Sequence, residues 1–193
     1  MTAGALALLR RLTHAVRSAL VRTLHPRRRR AALARLRTAP LPTSILFVCH
    51  GNICRSPYAA RAFRRLVPEP LHDVVRVESA GFIGAYRSAP REAMEVAWAR
   101  GVDLADHASK VLTPQNVFVA DLIVVMDPAQ GRAIQQTFGR RERDILVLGD
   151  LDPLPADSRT IRDPVDQALS VFEESYDLID RCLYALVEAL PTR

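Results

Sequence analysis

A thiol, a glycine, a guanidinium and a hydroxyl are crowded into one short stretch, VCHGNICRSP, running from Val48 to Pro57 directly behind the apolar run 44–48. Each residue type suits the binding of an anion. Gly51 is expected to take φ > 0, so the backbone can curl and turn successive N–H groups inward as a nest. Ser56 is expected as the N-cap and Pro57 as the first residue of a helix behind the loop, which adds its partial positive charge. Arg55 offers a bidentate fork that matches a tetrahedral oxyanion better than Lys would. Cys49 lies beneath these donors, and all of them favour the thiolate, the form that attacks. A thiolate under a bound phosphate makes a phosphoryl-transfer site that needs neither metal nor cofactor. A Walker-type nucleotide loop is excluded, because no Gly-Lys-Ser/Thr follows. Zinc is disfavoured, because Cys49 and Cys54 have no second ligand pair at a suitable spacing.

Such a loop must sit on a strand-to-helix turn, and the rest of the chain supplies one. Residues 44–49 read as a first strand, followed by a helix from Pro57 to about Leu66. Residues 73–81 and 121–126 are further strands, and 144–148 a fourth. Helices are expected over about 89–100 and 128–138, the latter closed by Gly139, with a short one opening at Thr113-Pro114. A loop over 149–163 leads into a last helix whose apolar face carries Leu169, Phe172, Tyr176, Ile179, Leu183, Leu186 and Leu190. Short apolar strands alternating with helices predict an α/β fold: a small doubly wound sheet of four parallel strands with helices on both faces. In such sheets ligands bind beyond the carboxyl ends of the strands, where the Cys49 loop falls.

The chain divides by charge. Residues 1–43 hold ten Arg and no acidic residue, whereas residues 44–193 hold 17 basic and 21 acidic residues. The basic pI therefore describes an arm and not the domain, and no specific nucleic-acid partner is expected. Over residues 5–24, Leu6, Leu9, Leu12, Val16, Leu20 and Leu24 share one helical arc, with Arg10, Arg11, Arg17 and Arg22 on the other side. His25-Pro26 is expected to stop this helix. The four-Arg run 27–30 and a linker over 38–43 follow. The whole is an Arg-rich amphipathic extension (1–43) ahead of a catalytic domain (44–193). Arg17 and Arg22 interrupt the apolar stretch that an export signal needs, so a signal peptide is rejected. The acid-free arm suggests peripheral attachment of residues 5–37 to an anionic membrane surface. Three cysteines, two of them in one loop, do not form a disulfide framework, and a cytoplasmic location at the inner face of the membrane is expected.

VCHGNICRSP resembles the signature of the low-molecular-weight protein tyrosine phosphatases. The similarity extends over about residues 44–190 through VESAG (77–81), GVDLADHASK (101–110), DLIVVMD (121–127) and DP (163–164). The arm lies outside it. The resemblance implies Cys49 as nucleophile and Arg55 as phosphate clamp, with His50, Gly51, Asn52, Ile53, Cys54 and Ser56 completing the phosphate-binding loop. It implies that Ser56 hydrogen-bonds the Cys49 sulfur and that Asn52 holds the loop's shape with Ser79 and His107. Expelling an alkoxide or phenolate needs a proton donor. The resemblance places it at an Asp-Pro ahead of the last helix, hence Asp163, with Asp127-Pro128 and Asp152-Pro153 as competitors by dipeptide. It also implies a phosphorylated protein substrate, a tyrosine kinase among the candidates.

Two positions bear on the substrate. The family usually puts aromatics after Asp-Pro, where this chain has Val165-Asp166, which removes part of the wall for a phenyl ring. Phe82 or Tyr86 would have to supply that wall. Ile53 points back toward phosphotyrosine, since members acting on phosphoarginine tend to carry a smaller polar residue there. Phosphoarginine or a small phosphate ester is thus the alternative substrate. An arsenate reductase would need a relay of further cysteines, and only Cys182 is available. A non-catalytic, membrane-anchored phosphate-binding protein is the remaining reading. Cys54 is close enough through the curled loop to form a reversible disulfide with Cys49 under peroxide.

Overall fold

The computed structural model describes residues 3–191, except the side chains of residues 3–12, 14 and 17. Helix α1 (Ala3–Thr38) leads into strand β1 (Ser44–Cys49) and helix α2 (Arg55–Leu66). Then come β2 (Arg76–Gly81), α3 (Arg91–Ala99), α4 (Pro114–Val119), β3 (Leu122–Val125), α5 (Pro128–Phe138), β4 (Ile145–Val147) and α6 (Leu169–Ala189). The four strands form one sheet in the order β2-β1-β3-β4, and every pairing is parallel.

The period of two along β1 decides what Cys49 faces. Ile45, Phe47 and Cys49 belong to the core shared with Phe63 of α2, Ala93 and Val96 of α3, and Phe172, Tyr176 and Ile179 of α6. Leu46 and Val48 point the other way, into a second core with Val117 of α4 and Ile134 of α5. The sheet is therefore covered on both faces, and Cys49 opens onto the α2 side. Helix α6 buries Phe172, Tyr176, Ile179, Leu183 and Leu186, whereas Leu169, at its first turn, is 37% exposed. Two helix ends follow local chemistry. Thr113 and Asn116 form a reciprocal capping box at α4, and Gly139 closes α5 with φ 67°.

The expected stop at His25-Pro26 is not there. Helix α1 runs through Pro26. Proline inside a helix costs about 3 kcal/mol, but the turns around and after it are docked on the domain. Leu33 and Leu36 are buried in the α2/α6 core, worth roughly 1.5–3 kcal/mol each. His25 is buried as well, and its Nε2 lies 2.9 Å from the Asp152 carbonyl. Arg29 Nε donates to Leu151 O at 3.1 Å, and Arg35 Nη2 to Ile145 O at 3.0 Å. Tertiary packing overrides the local signal. The stretch read as a linker is also held, because Asp121 accepts from Thr43 N and Oγ1, both at 2.8 Å. Of the apolar arc, Val16 and Leu20 are 67% and 57% exposed. The side chains of Leu6, Leu9, Leu12, Arg10, Arg11 and Arg17 lie outside the described residues.

Candidate active site

Cys49 is the last residue of β1, the strand flanked by β2 and β3. From there the chain curls over residues 50–54 into α2. Gly51 is not the residue that makes the curl possible. The left-handed backbone is at Asn52, with φ 51°, a conformation that costs most side chains of order 1 kcal/mol or more. Asn52 is fully buried and over-determined by its partners. Its Nδ2 donates to Ser56 Oγ and to Ser79 Oγ, both at 2.9 Å, and its Oδ1 accepts from Lys110 N at 2.8 Å. His107 Nε2 lies 2.6 Å from the Asn52 carbonyl. A carbonyl only accepts, so the ring carries a proton on Nε2 there. Burial holds the His107 pKa below its ordinary value, against the opposing pull of that hydrogen bond.

Gly51 serves a different purpose. A Cβ there would sit 2.7 Å from Arg87 Nη2, which donates to Gly51 O at 2.8 Å. The His50 side chain is exposed, and its carbonyl accepts from Phe82 N at 2.8 Å. Ile53 is half-buried against the core. Ser56 does not cap α2 either. The helix starts at Arg55, Cys54 occupies the N-cap position without a side-chain bond, and Pro57 is the third helical residue. The Ser56 hydroxyl is occupied elsewhere.

It lies 3.0 Å from Cys49 Sγ, while Asn52 N donates to the same sulfur at 3.2 Å. Because Asn52 Nδ2 already donates to Ser56 Oγ, the hydroxyl proton points outward to its two neighbours, the sulfur at 3.0 Å and the more distant Ala80 carbonyl at 3.5 Å. Two donors therefore converge on Sγ, at the N-terminus of α2, where the helix dipole adds to them. The chain has two further buried thiols. Burial above all, with the nearby Cys49 and Asp163 adding to it, pushes the Cys54 thiol far up. Burial likewise raises Cys182, which lies on the buried face of α6. Both stay protonated, so neither competes as nucleophile, and all three cysteines are unpaired.

Arg55 is buried. Its Nη1 donates to Ile161 O at 3.0 Å, and its Nη2 pairs with Asp163 Oδ2. Its Nε is buried with no acceptor among the described residues. An unsatisfied charged N–H is costly, and a phosphate oxygen over the loop would satisfy it. The three Asp-Pro aspartates separate cleanly. Asp127 caps α5 and accepts from Thr160 Oγ1 at 2.7 Å. Asp152 is buried, with both oxygens on Arg181, at 3.0 and 3.1 Å. Asp163 is partly exposed and touches Arg55.

Three contributors escaped the sequence reading. Gly81 stands opposite Cys49 in the sheet register, and a Cβ there would come within 2.8 Å of Asn52 N and His50 O. The glycine after VESA was its only signal. Arg87 and the Lys110 amide come from loops whose approach to the Cys49 turn is fixed only by the fold. Tyr86 is held at φ 60° with its ring 90% exposed, whereas Phe82 packs against the α4/α5 core.

Residues 44–193 match the family model described as low molecular weight phosphotyrosine protein phosphatase. The "Probable low molecular weight protein-tyrosine-phosphatase EpsP" of Ralstonia nicotianae is 38% identical over 146 residues, covering 75% of this chain and 93% of that protein. The protein-arginine-phosphatase of Bacillus subtilis is 29% identical over 148 residues, covering 76% and 95%. Among solved structures, Vibrio vulnificus Wzb in complex with benzylphosphonate superposes with a TM-score of 0.67 at 31% identity, covering 77% of this chain and 99% of that one.

Proposed function

The chain belongs to the low molecular weight protein-tyrosine-phosphatase family, and from that premise we propose that it hydrolyses phosphotyrosine in proteins through a phosphocysteine on Cys49. The carrying observation is the convergence of Ser56 Oγ and Asn52 N on Cys49 Sγ, beside a buried Arg55 that reaches Asp163. The Cys49 thiolate attacks phosphorus, forming the S–P bond as the P–O bond to the leaving group breaks. Arg55 clamps the equatorial oxygens, and protonated Asp163 gives its proton to the departing oxygen. Water then attacks the phosphocysteine, Asp163 takes the proton back, and the S–P bond breaks. Ser56 stabilises the thiolate as it leaves.

Ile53 and the named tyrosine phosphatases support phosphotyrosine, whereas the likeness to an arginine phosphatase makes phosphoarginine the competitor. Assaying the full chain on phosphotyrosine and phosphoarginine peptides of one sequence separates them. The expected result is at least about tenfold higher kcat/KM on phosphotyrosine, the scale on which sites discriminate between side chains of different apolar content. Preference for phosphoarginine overturns the substrate assignment and leaves the cysteine mechanism standing.

Residues 5–37 are also proposed to rest on an anionic membrane surface. No helix among the described residues is long and apolar enough to cross one. Val16 and Leu20 are exposed, as are Arg22, Arg27, Arg30 and Arg37, whereas Arg29 and Arg35 are tied to the domain. Vesicles rich in phosphatidylserine should sediment the full chain, and a Val16→Gln/Leu20→Gln variant should bind roughly fivefold less or weaker still. Equal sedimentation of the two proteins, or none with the wild type, ends the membrane reading.

A further inference from the structure

Helix α1 lies outside the family match, which begins at residue 44, yet it holds the segment that carries Asp163. The segment starts in a 3₁₀ turn, Leu148–Leu151, and runs without regular structure to α6. Its first residues are buried, and α1 supplies acceptors there with their donors. Arg29 Nε donates to Leu151 O, and the His25 ring, with its proton on Nε2, donates to Asp152 O. Leu151 and Asp152 are both buried, so those carbonyls would otherwise be cut off from water.

From this grip a chain of direct contacts reaches the site. Asp150 forms a two-point pair with Arg159, at 2.8 and 2.6 Å. Gly149 lies so close to the same residue that a Cβ would meet Arg159 O at 2.5 Å. Two residues on, Ile161 N donates to Met126 O at 2.9 Å while Ile161 O accepts from Arg55. The next contact along is Asp163 on Arg55 itself. The start of the segment therefore packs directly on the part that aims the acid.

We propose that His25 and Arg29 are positioning residues for proton transfer by Asp163, acting through the 149–163 segment, so that the N-terminal helix is a working part of the active site. The inference rests on Asp163 being the acid. Its signature is a dependence on the leaving group. A misplaced acid slows the expulsion of a basic oxygen and hardly affects one that departs without a proton.

The test uses the full-length chain with His25→Leu/Arg29→Met, measuring kcat/KM on phenyl phosphate and on 2,4-dinitrophenyl phosphate. A loss of about tenfold is expected on the first ester and of less than about twofold on the second. Inhibition by inorganic phosphate should be unchanged, because the Cys49 loop and Arg55 remain in place. His25→Gln, which keeps a side-chain N–H, should restore part of the loss. Where the double variant fails to fold, as judged by its thermal melt, Arg29→Met alone carries the test with an expected loss of about threefold on phenyl phosphate. Equal losses on both esters, or no loss on either, overturn the proposal. Asp163→Asn in the same assay is the reference. If it shows no leaving-group dependence, the acid assignment falls and this inference with it. If it does and the α1 variant does not, the inference alone falls.

Discussion

Cys49→Ser is expected to lower turnover by roughly 10⁴-fold or more, the scale on which removal of an enzyme nucleophile is felt. A serine hydroxyl at this position is a far weaker nucleophile than a thiol that receives the same two hydrogen bonds at a helix N-terminus. The surroundings should survive the change. Arg55 is anchored by Ile161 O, and Asn52 keeps its bonds to Ser79 and the Lys110 amide. Calorimetric titration with phosphate or vanadate should therefore still detect binding to an inactive protein. Retained turnover in this variant, or turnover that depends on added divalent metal, contradicts a cysteine-based mechanism at this site.

Asp163→Asn is expected to cost about 10²–10⁴-fold with a poor leaving group and distinctly less with an activated one, because general acid catalysis is worth that much where a proton is needed. The comparison is with the other Asp-Pro aspartates. Asp127→Asn weakens a helix cap and a bond to Thr160, and Asp152→Asn breaks a buried pair with Arg181. Both changes should show first in the melting temperature. A folded Asp127→Asn or Asp152→Asn protein that loses more rate than Asp163→Asn would move the acid to that residue.

What the sequence showed and what it hid divide along a physical line. That Cys49 and Arg55 stand at the two ends of one strand-to-helix turn was legible because type and spacing along ten residues carry it. So was the parallel sheet, whose apolar runs are short and regularly interleaved with helices. The expectation that failed at Gly51 was a local rule meeting a non-local fact. Asn52 takes the left-handed conformation because Ser56, Ser79 and Lys110 satisfy its side chain, and two of those partners lie 27 and 58 positions away. Ser56 reads as a cap by type, yet it serves the sulfur. Pro26 reads as a stop, yet Leu33, Leu36 and His25 hold the helix on the domain. Gly81 and Arg87 gave no signal because their importance is distance, which no spacing in the chain expresses.

The central claim is the covalent intermediate, and rapid acid quenching of the working enzyme tests it most directly. Mixed with a labelled aryl phosphate and quenched within one turnover, the wild-type protein should yield a peptide spanning Val48–Pro57 that carries one phosphoryl group on Cys49. The Cys49→Ser protein should yield none. An unmodified peptide from wild-type enzyme that is turning over, or a phosphoryl group found on another residue, would contradict the account.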